Sequence, residues 1–192
     1  MKNMLFIMNP KAGRTTLKNS LVDVLEVFCN NDYAVRTYLT KSADDAERIV
    51  QEEGANYDVI VCAGGDGTLG NTVTGYMKSG IKVPLGYIPC GSTNDFARSM
   101  DIPRETVEAA EMIVKAEPFS IDIGSLNDKN FVYVAAFGMF SDTSYATPQN
   151  MKNIFGHVAY VLQGIKSLAN VPSYKMNVTI DGDEQEGEFI FG

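Results

Sequence analysis

The sequence lacks the features that mark several large classes of protein. It has three cysteines, Cys29, Cys62 and Cys90, which are odd in number and widely spaced. This set predicts free, partly buried thiols in a reducing compartment, and argues against a disulfide framework or a zinc site. No apolar run approaches the ~20 residues needed to cross a bilayer, and residues 4–8 are too short a run for a signal peptide. We therefore expect a cytoplasmic protein.

Positive charge and histidine are also scarce. The chain has 24 acidic and 16 basic residues, which gives a formal net charge of −8. This balance argues against nucleic acid as a partner, although a single nucleotide can still be recognised locally. His157 is the only histidine, and a packing or surface role is favoured over a Ser–His–Asp triad. The helix predicted over residues 151–169 is not strongly cationic, so we interpret it as core or interface and not as a membrane-lying helix.

What is present is an alternation of strand-like and helix-like patterns over residues 1–122. The predicted strands are residues 4–8, 34–40, 58–62 and 83–88. The alternation predicts an α/β nucleotide domain with a parallel, doubly wound sheet. β-rich runs at 131–137 and 174–180, with a turn signal at Asp181-Gly182, then predict the start of a mainly β second domain over residues 123–192.

The strongest motif is the glycine-rich turn Gly64-Gly65-Asp66-Gly67-Thr68, which joins the third predicted strand to a helix. Such a turn leaves backbone N–H groups pointing outward, and the helix dipole behind them favours an anion such as a phosphate. Asp66 is poorly suited to phosphate alone but suits a metal–phosphate complex. The alternative is a plain tight turn, which rarely needs three glycines beside an acid and a hydroxyl. The pattern matches neither the GxGxxG nor the Walker fingerprint.

Two further polar turns follow predicted strands, at residues 9–14 and 89–95. Because the carboxyl ends of parallel strands meet at one edge of a sheet, we expect both turns beside the glycine turn. Taken alone, the first is more typical of a surface turn, and its predicted position favours a phosphate site. The second belongs to a loop that could equally cap a helix through Thr93, Asn94 or Asp95.

Three carboxylates and one threonine complete the candidates. Asp66, Asp95 and Asp122 lie in three different strand-end segments. Together they could hold a hydrated Mg²⁺, but separate capping and turn roles explain the sequence equally well. Thr40, at the end of its predicted strand, could touch the base or ribose of a nucleotide, and by itself it is interpreted as structural.

Taken together, the motifs resemble the diacylglycerol kinase catalytic-domain family, and more closely its bacterial lipid kinases. The resemblance rests on segments 9–13, 64–69 and 89–98, and further on 122–124, 137–148 and 156–160. The glycine turn alone is shared with NAD kinases and, loosely, with phosphofructokinases. The run Gly91-Ser92-Thr93-Asn94-Asp95-Phe96-Ala97-Arg98 is what points to lipid kinases.

The resemblance implies an α/β nucleotide domain followed by a β-sandwich, with ATP between them. It implies ATP- and Mg²⁺-dependent phosphorylation of a membrane lipid hydroxyl, diacylglycerol to phosphatidic acid, with transient peripheral contact at the inner face of the membrane. Asp66 is the implied catalytic residue, and Asp66, Asp95 and Asp122 are the implied metal residues, largely through water. The implied nucleotide contacts are Asn9, Pro10, Lys11, Ala12, Gly13, Thr40, Gly65, Asp66, Gly67, Thr68, Leu69, Gly70, Asn71 and Ser92.

Three departures from the family pattern qualify the resemblance. Gly70-Asn71 stands where the family usually has Asn-Glu, and Ser92 stands where threonine is usual. The family's catalytic base and a further metal site lie in the last third of its enzymes, so we expect the base beyond Gly192 and an incomplete sandwich. An NAD kinase-like phosphotransferase and a truncated, non-catalytic nucleotide-binding fragment are the alternatives. The strand-like residues 188–192 favour truncation.

Overall fold

The computed structural model describes residues 1–12, 16–127, 129–137 and 173–192. The chain divides into two compact units, Met1–Val134 and Ala135–Gly192. The sequence-based domain boundary after residue 122 stays a prediction. Gly13 and the helix predicted around His157 lie outside the described residues, as do most of segment 137–148 and all of segment 156–160.

The first unit is built on a four-stranded sheet in which every strand is parallel to its neighbours. Its strands are β1 (Lys2–Met8), β2 (Tyr33–Leu39), β3 (Val59–Gly64) and β4 (Leu85–Pro89). Their spatial order is β2-β1-β3-β4, which confirms the predicted α/β fold with a parallel sheet. The chain leaves β1 toward one side for β2 and then crosses to the other side for β3. In such sheets ligands bind outside the carboxyl ends of the strands where the order reverses, which here is between β1 and β3.

Helices cover both faces of this sheet. They are α1 (Thr16–Asn30), α2 (Asp45–Glu53), α3 (Asp66–Ser79), α4 (Asp95–Ser99) and α5 (Thr106–Lys115), with a short 3₁₀ turn at Gly54–Asn56. Phe6 of β1 packs with Phe28 of α1 on one face, whereas Leu5 packs with Ile49 of α2 on the other. Covering both faces explains why the apolar run in β1 is continuous instead of alternating. No helix in the described ranges is both long and apolar enough to cross a bilayer.

Two helices begin differently from what their nearby residues suggest. Serine is a favoured N-cap residue, but the backbone N–H of Ser42 and that of Lys41 donate to the Asp45 carboxylate, at 3.2 and 2.6 Å. The first turn of α2 therefore binds the loop before it. Proline is common at the first position of a helix, but α5 begins at Thr106, after Pro103. The Glu105 side chain supplies the cap by accepting the backbone N–H of Val107 at 3.1 Å.

A small antiparallel pair of strands ends the first unit: β5 (Gly124–Leu126) and β6 (Lys129–Phe131). The β-rich run predicted over residues 131–137 is therefore strand only at Phe131, its first residue. Ile123 and Val132, on either side of the pair, pack against the cluster that contains Leu69 of α3. The residues that flank the pair therefore pack against the first unit's core.

The second unit contains a two-stranded antiparallel hairpin, β7 (Tyr174–Ile180) and β8 (Asp183–Phe189). Asp181 and Gly182 both have positive φ, 51° and 96°, as a type I′ turn requires. This turn pairs Ile180 directly with Asp183. The second strand of the hairpin therefore begins at Asp183, before the strand-like residues 188–192 seen in the sequence. Antiparallel strands thus follow the α/β unit, as expected, and completion of a sandwich stays a prediction.

Candidate functional site

Asn9 joins the turn after β1 to the glycine turn after β3. Its backbone N–H donates to the carbonyl of Ala63 at 3.0 Å, and its side-chain Nδ2 donates to Oγ1 of Thr68 at 3.0 Å. Its Oδ1 accepts the backbone N–H of Lys11 at 3.0 Å, which shapes the turn containing Pro10, Lys11 and Ala12. The amide of Asn9 therefore acts as a scaffold at the point where the strand order reverses, with the Lys11 side chain exposed beside it.

The glycine turn presents unpaired donors at the start of α3. The N–H groups of Thr68 and Leu69 both donate to the carbonyl of Gly65, at 2.9 and 3.0 Å. Those of Asp66 and Gly67 donate to no partner within the described residues. A Cβ built on Gly67 or Gly70 would meet nothing within 4 Å, so this side of the helix start is open. Free N–H groups at the N-terminus of a 14-residue helix form an anion-binding arrangement.

The backbones of the turns after β3 and β4 touch each other. A Cβ built on Gly91 would lie 2.6 Å from Cα of Gly65, and one built on Gly65 would lie 3.2 Å from Cα of Gly91. The N–H of Cys90 donates to the carbonyl of Gly64 at 2.7 Å, just beyond the last paired residues of the two strands. This close approach requires glycine at residue 91 and leaves only tight space for a Cβ at residue 65. The three predicted turns are thus brought to one edge of the sheet.

The carboxylate of Asp66 faces the start of α4. Its two oxygens accept the backbone N–H groups of Asp95 and Phe96, at 3.2 and 3.3 Å. Asn94, at the N-cap position of α4, makes no capping hydrogen bond with its own side chain. The alternative in which the 91–98 loop caps this helix itself is therefore wrong. Asp66 supplies the cap from the neighbouring turn and ties the glycine turn to that loop.

Tyr87 and Asn94 complete this junction; sequence reasoning missed Tyr87 and considered Asn94 only as a helix cap. The Asn94 side chain accepts the N–H of Gly91 at 2.8 Å and donates to the carbonyl of the same residue at 2.9 Å. These bonds hold Asn94 in a left-handed conformation with φ 53°. The Tyr87 hydroxyl lies 3.1 Å from the carbonyl oxygen of Gly64 and 3.4 Å from Oδ1 of Asn94. The available signal was a tyrosine inside a buried strand, because a buried hydroxyl needs a polar partner.

Three other predicted nucleotide contacts are placed at or near the same edge. Thr40 is buried, and both its N–H and its hydroxyl donate to the carbonyl of Met8, at 2.9 and 3.4 Å. The side chain of Asn71 donates to the carbonyl of Ala43 at 2.7 Å, which ties α3 to the segment before α2. Ser92 is exposed, and its side chain makes no hydrogen bond within the described part of the chain. Nucleotide contact by these residues stays a prediction.

The three predicted metal residues are not assembled as a cage. Asp66 and Asp95 are neighbours, but both oxygens of Asp66 bind α4, and the Asp95 carboxylate lies 4.0 Å from the Arg98 guanidinium. Asp122 is exposed. Within the ranges that the structure covers, no three His, Cys, Asp or Glu side chains are grouped to hold a metal ion. The metal role of these residues stays a prediction.

The cysteines do not supply a nucleophile to this edge. All three are free thiols; Cys62 and Cys90 are buried, whereas Cys29 is exposed, unlike the partly buried thiol expected. Burial raises the pKa of both the Cys62 and the Cys90 thiol to about 12. Both thiols therefore stay protonated near neutral pH and are poor nucleophiles.

Comparison with known proteins gives one consistent result. Residues 3–126 match the model of the diacylglycerol kinase catalytic domain. The chain is 35% identical to a diacylglycerol kinase of Bacillus subtilis (strain 168), with 99% of this chain and 63% of that protein covered. It is also 35% identical to a diacylglycerol kinase of Staphylococcus aureus (strain JH9), with 98% of this chain and 60% of that protein covered.

A solved structure agrees with the sequence matches. The crystal structure of a diacylglycerol kinase from Bacillus anthracis (strain Sterne) superposes with a TM-score of 0.78 at 28% identity, covering 99% of this chain and 62% of that one. The chain therefore spans less than two thirds of the length of these relatives.

Proposed function

The chain belongs to the diacylglycerol kinase catalytic-domain family, and from that premise we propose that the protein is an ATP- and Mg²⁺-dependent lipid kinase. Its substrate on this proposal is diacylglycerol, whose free hydroxyl is phosphorylated to give phosphatidic acid. The reaction is the transfer of the γ-phosphoryl group of ATP to that hydroxyl. The protein contacts the membrane only peripherally, because the substrate is a membrane lipid.

The observation that carries the proposal is the junction of the glycine turn with the 91–98 loop. The free N–H groups of Asp66 and Gly67 and the open space beside Gly67 suit the phosphates of a nucleotide. In phosphoryl transfer the protein mainly positions the reacting groups and neutralises their charge. A site of backbone donors held by short links between neighbouring turns suits that task.

The residues of the sheet edge take separate parts in this proposal. Asn9 and the turn that it shapes support the phosphates from the β1 side, and Lys11 adds an exposed positive charge. Gly65, Asp66, Gly67, Thr68, Leu69, Gly70 and Asn71 form the phosphate-facing start of α3. Ser92 offers its hydroxyl from the β4 side, and Thr40 marks the side on which base or ribose lies.

Magnesium enters the proposal with the nucleotide. The described residues offer no group of three or more ligating side chains, so we route no step through a metal held by the protein alone. Mg²⁺ commonly binds one or two carboxylates together with substrate phosphates and keeps several waters. Asp66, Asp95 and Asp122 are the carboxylates that would reach those waters, and the metal would neutralise charge on the transferred phosphoryl group.

The test is a phosphate-transfer assay on the full-length protein. ATP labelled at the γ-phosphate is supplied with Mg²⁺ and, in separate reactions, with diacylglycerol in mixed micelles or with NAD⁺. We expect label in phosphatidic acid and none in NADP⁺, and we expect omission of Mg²⁺ to abolish transfer. Label in NADP⁺ alone would identify the NAD kinase-like alternative. ATP binding without transfer to either acceptor would identify a non-catalytic nucleotide-binding protein.

A further inference from the structure

We infer that Tyr87 is a positioning residue for the nucleotide site, fixing the distance between the turns that follow β3 and β4. The inference rests on the proposed function, since these two turns are the ones assigned to the phosphates. Tyr87 is buried in the core, whereas Ser92 is exposed. The effect of Tyr87 is transmitted through Gly64, whose carbonyl accepts a hydrogen bond from its hydroxyl at 3.1 Å, and through Asn94, whose Oδ1 lies 3.4 Å from that hydroxyl.

In the described junction, no other side chain occupies the position of the Tyr87 hydroxyl between the two turns. β3 and β4 are paired up to Gly64 and Pro89, and beyond these residues only the Cys90 N–H to Gly64 carbonyl bond continues from strand to strand. The Tyr87 hydroxyl donates to the same carbonyl from inside the core at 3.1 Å, and its oxygen lies 3.4 Å from Oδ1 of Asn94, which holds Gly91. One side chain of β4 thus bonds to the turn after β3 and lies against the turn after β4.

Burial keeps this link in one protonation state. Tyr87 is 4% exposed and packs in the cluster that contains Cys62, Leu69 and Ala97. Its burial, and secondarily the negative charge of Asp66, raises the pKa of the phenol well above its usual range. The hydroxyl therefore remains protonated near neutral pH. A phenylalanine would fill nearly the same space but would lack the link to Gly64.

Loss of the hydroxyl leaves no buried polar group without a partner. The Gly64 carbonyl would keep the N–H of Cys90 at 2.7 Å, and Oδ1 of Asn94 would keep the N–H of Gly91 at 2.8 Å. The ring of Tyr87→Phe would still pack against Phe96, whose ring centre lies 6.1 Å away. The substitution therefore removes the link while preserving the core, so its effect on the site can be measured in a folded protein.

The matched control is Tyr76→Phe. Tyr76 lies on α3, and its hydroxyl donates to the carbonyl of Val83 at 2.8 Å. This bond also joins a tyrosine to a backbone carbonyl, but it lies near the amino end of β4, at the opposite edge of the sheet. Both variants lose one hydroxyl and one such bond, and only the Tyr87 bond is made to a turn assigned to the phosphates.

The experiment measures the Kd for Mg·ATP by titration calorimetry on the full-length protein and its two variants, together with thermal unfolding. We expect Tyr87→Phe to weaken Mg·ATP binding about three- to tenfold, the range of one net hydrogen bond, and Tyr76→Phe to leave it unchanged. Amide hydrogen exchange without nucleotide provides a second readout. Exchange at Cys90 and Gly91 should be faster in Tyr87→Phe than in Tyr76→Phe at matched stability.

The possible outcomes separate this inference from the proposed function. A parent protein that binds Mg·ATP, with unchanged Kd and unchanged exchange at Cys90 and Gly91 in Tyr87→Phe, would overturn the positioning role alone. Equal weakening by both variants would also overturn it, because the effect would then follow general stability. A parent protein that binds no nucleotide would overturn the proposed function, and the positioning role with it.

Discussion

The two edges of the parallel sheet contain the same kinds of hydrogen bond, but these bonds join different parts of the fold. At the amino edge the carboxylate of Asp58 accepts the N–H of Asn3 at 2.6 Å, and the Tyr76 hydroxyl donates to the Val83 carbonyl at 2.8 Å. At the carboxyl edge the Asp66 carboxylate accepts the backbone N–H groups of Asp95 and Phe96, and the Tyr87 hydroxyl donates to the carbonyl of Gly64.

The edges differ in what the bonds leave free. The bonds at the carboxyl edge join successive turns, and they surround two glycines in contact and two N–H groups without partners in the described residues. Those at the amino edge join the strand starts and the segments that lead into them. Hydrogen bonds of these kinds therefore do not distinguish one edge from the other. The proposed site rests instead on free donors, open space and contact between the backbones of different turns.

The largest expected effect is that of Asp66→Ala, because it removes the cap of α4 and a negative charge at the site together. We expect kcat/KM for lipid phosphorylation to fall at least about a hundredfold, since small misplacements of a reacting site have effects of this size. Loss of the cap should lower the free energy of unfolding by about 1 kcal/mol. Kinetics in mixed micelles and urea unfolding measure the two effects separately.

Asp58→Ala is the matched control at the other edge. It also removes a carboxylate that accepts a backbone N–H, and it should lower stability by a similar amount with kcat/KM unchanged. Asp66→Asn makes the test more specific. The amide oxygen of the new asparagine can still accept an N–H from α4, but the negative charge is gone. If Asp66→Asn regains full activity, the charge of Asp66 is not needed and the cap is its whole contribution.

Gly91→Ala and Gly67→Ala should separate close contact from open space within the carboxyl edge. The new methyl group at residue 91 would meet Gly65, so we expect a loss of stability of about 1–3 kcal/mol and weaker Mg·ATP binding. At residue 67 it meets no protein atom within 4 Å, so we expect unchanged or slightly raised stability. Its Mg·ATP binding should nevertheless fall at least about tenfold, because the methyl group would occupy the proposed phosphate space.

Thermal unfolding and calorimetric titration of Mg·ATP measure both glycine variants. The comparison between edges fails if Gly67→Ala binds Mg·ATP as tightly as the parent protein, because the open space would then not be where the phosphates lie. A Gly91→Ala variant of unaltered stability would show that the two turns can move apart without loss.

The fold was predictable because its signals are local. Buried strands such as β3 read as short apolar runs, and the Asp181-Gly182 turn reads as a hairpin. The grouping of the polar turns at one edge followed from the rule that parallel strands end together. Element ends were less predictable. The start of α5 depends on which residue caps it, here Glu105, and not on the proline nearby.

The bonding inside the site was not predictable, because it joins residues that are distant in sequence. Asp66 caps a helix that begins 29 residues later along the chain, and no spacing rule connects a glycine turn to the next loop but one. Tyr87 looked like one more apolar residue of its strand. The contact between Gly65 and Gly91 depends on how closely two turns approach, which is a property of the folded sheet.

The smallest expected effect concerns Asp45, a carboxylate of the same edge that lies outside the proposed phosphate site. Hydrogen bonds from the backbone N–H of Lys41, and also from Arg48 and Ser42, lower the pKa of Asp45 to about 2. An unfolded Asp titrates near ~3.9, so the charged form favours the folded state. This contribution is complete above about pH 4 and is lost as the pH falls toward 2.

Urea unfolding between pH 6 and about pH 2.5 should therefore show Asp45→Asn less stable than the parent protein, with a difference that shrinks in acid. The kcat/KM for lipid phosphorylation at neutral pH should be unchanged in Asp45→Asn. A difference that stays constant down to the lowest pH would show that the charge of Asp45 is not what binds this loop to α2.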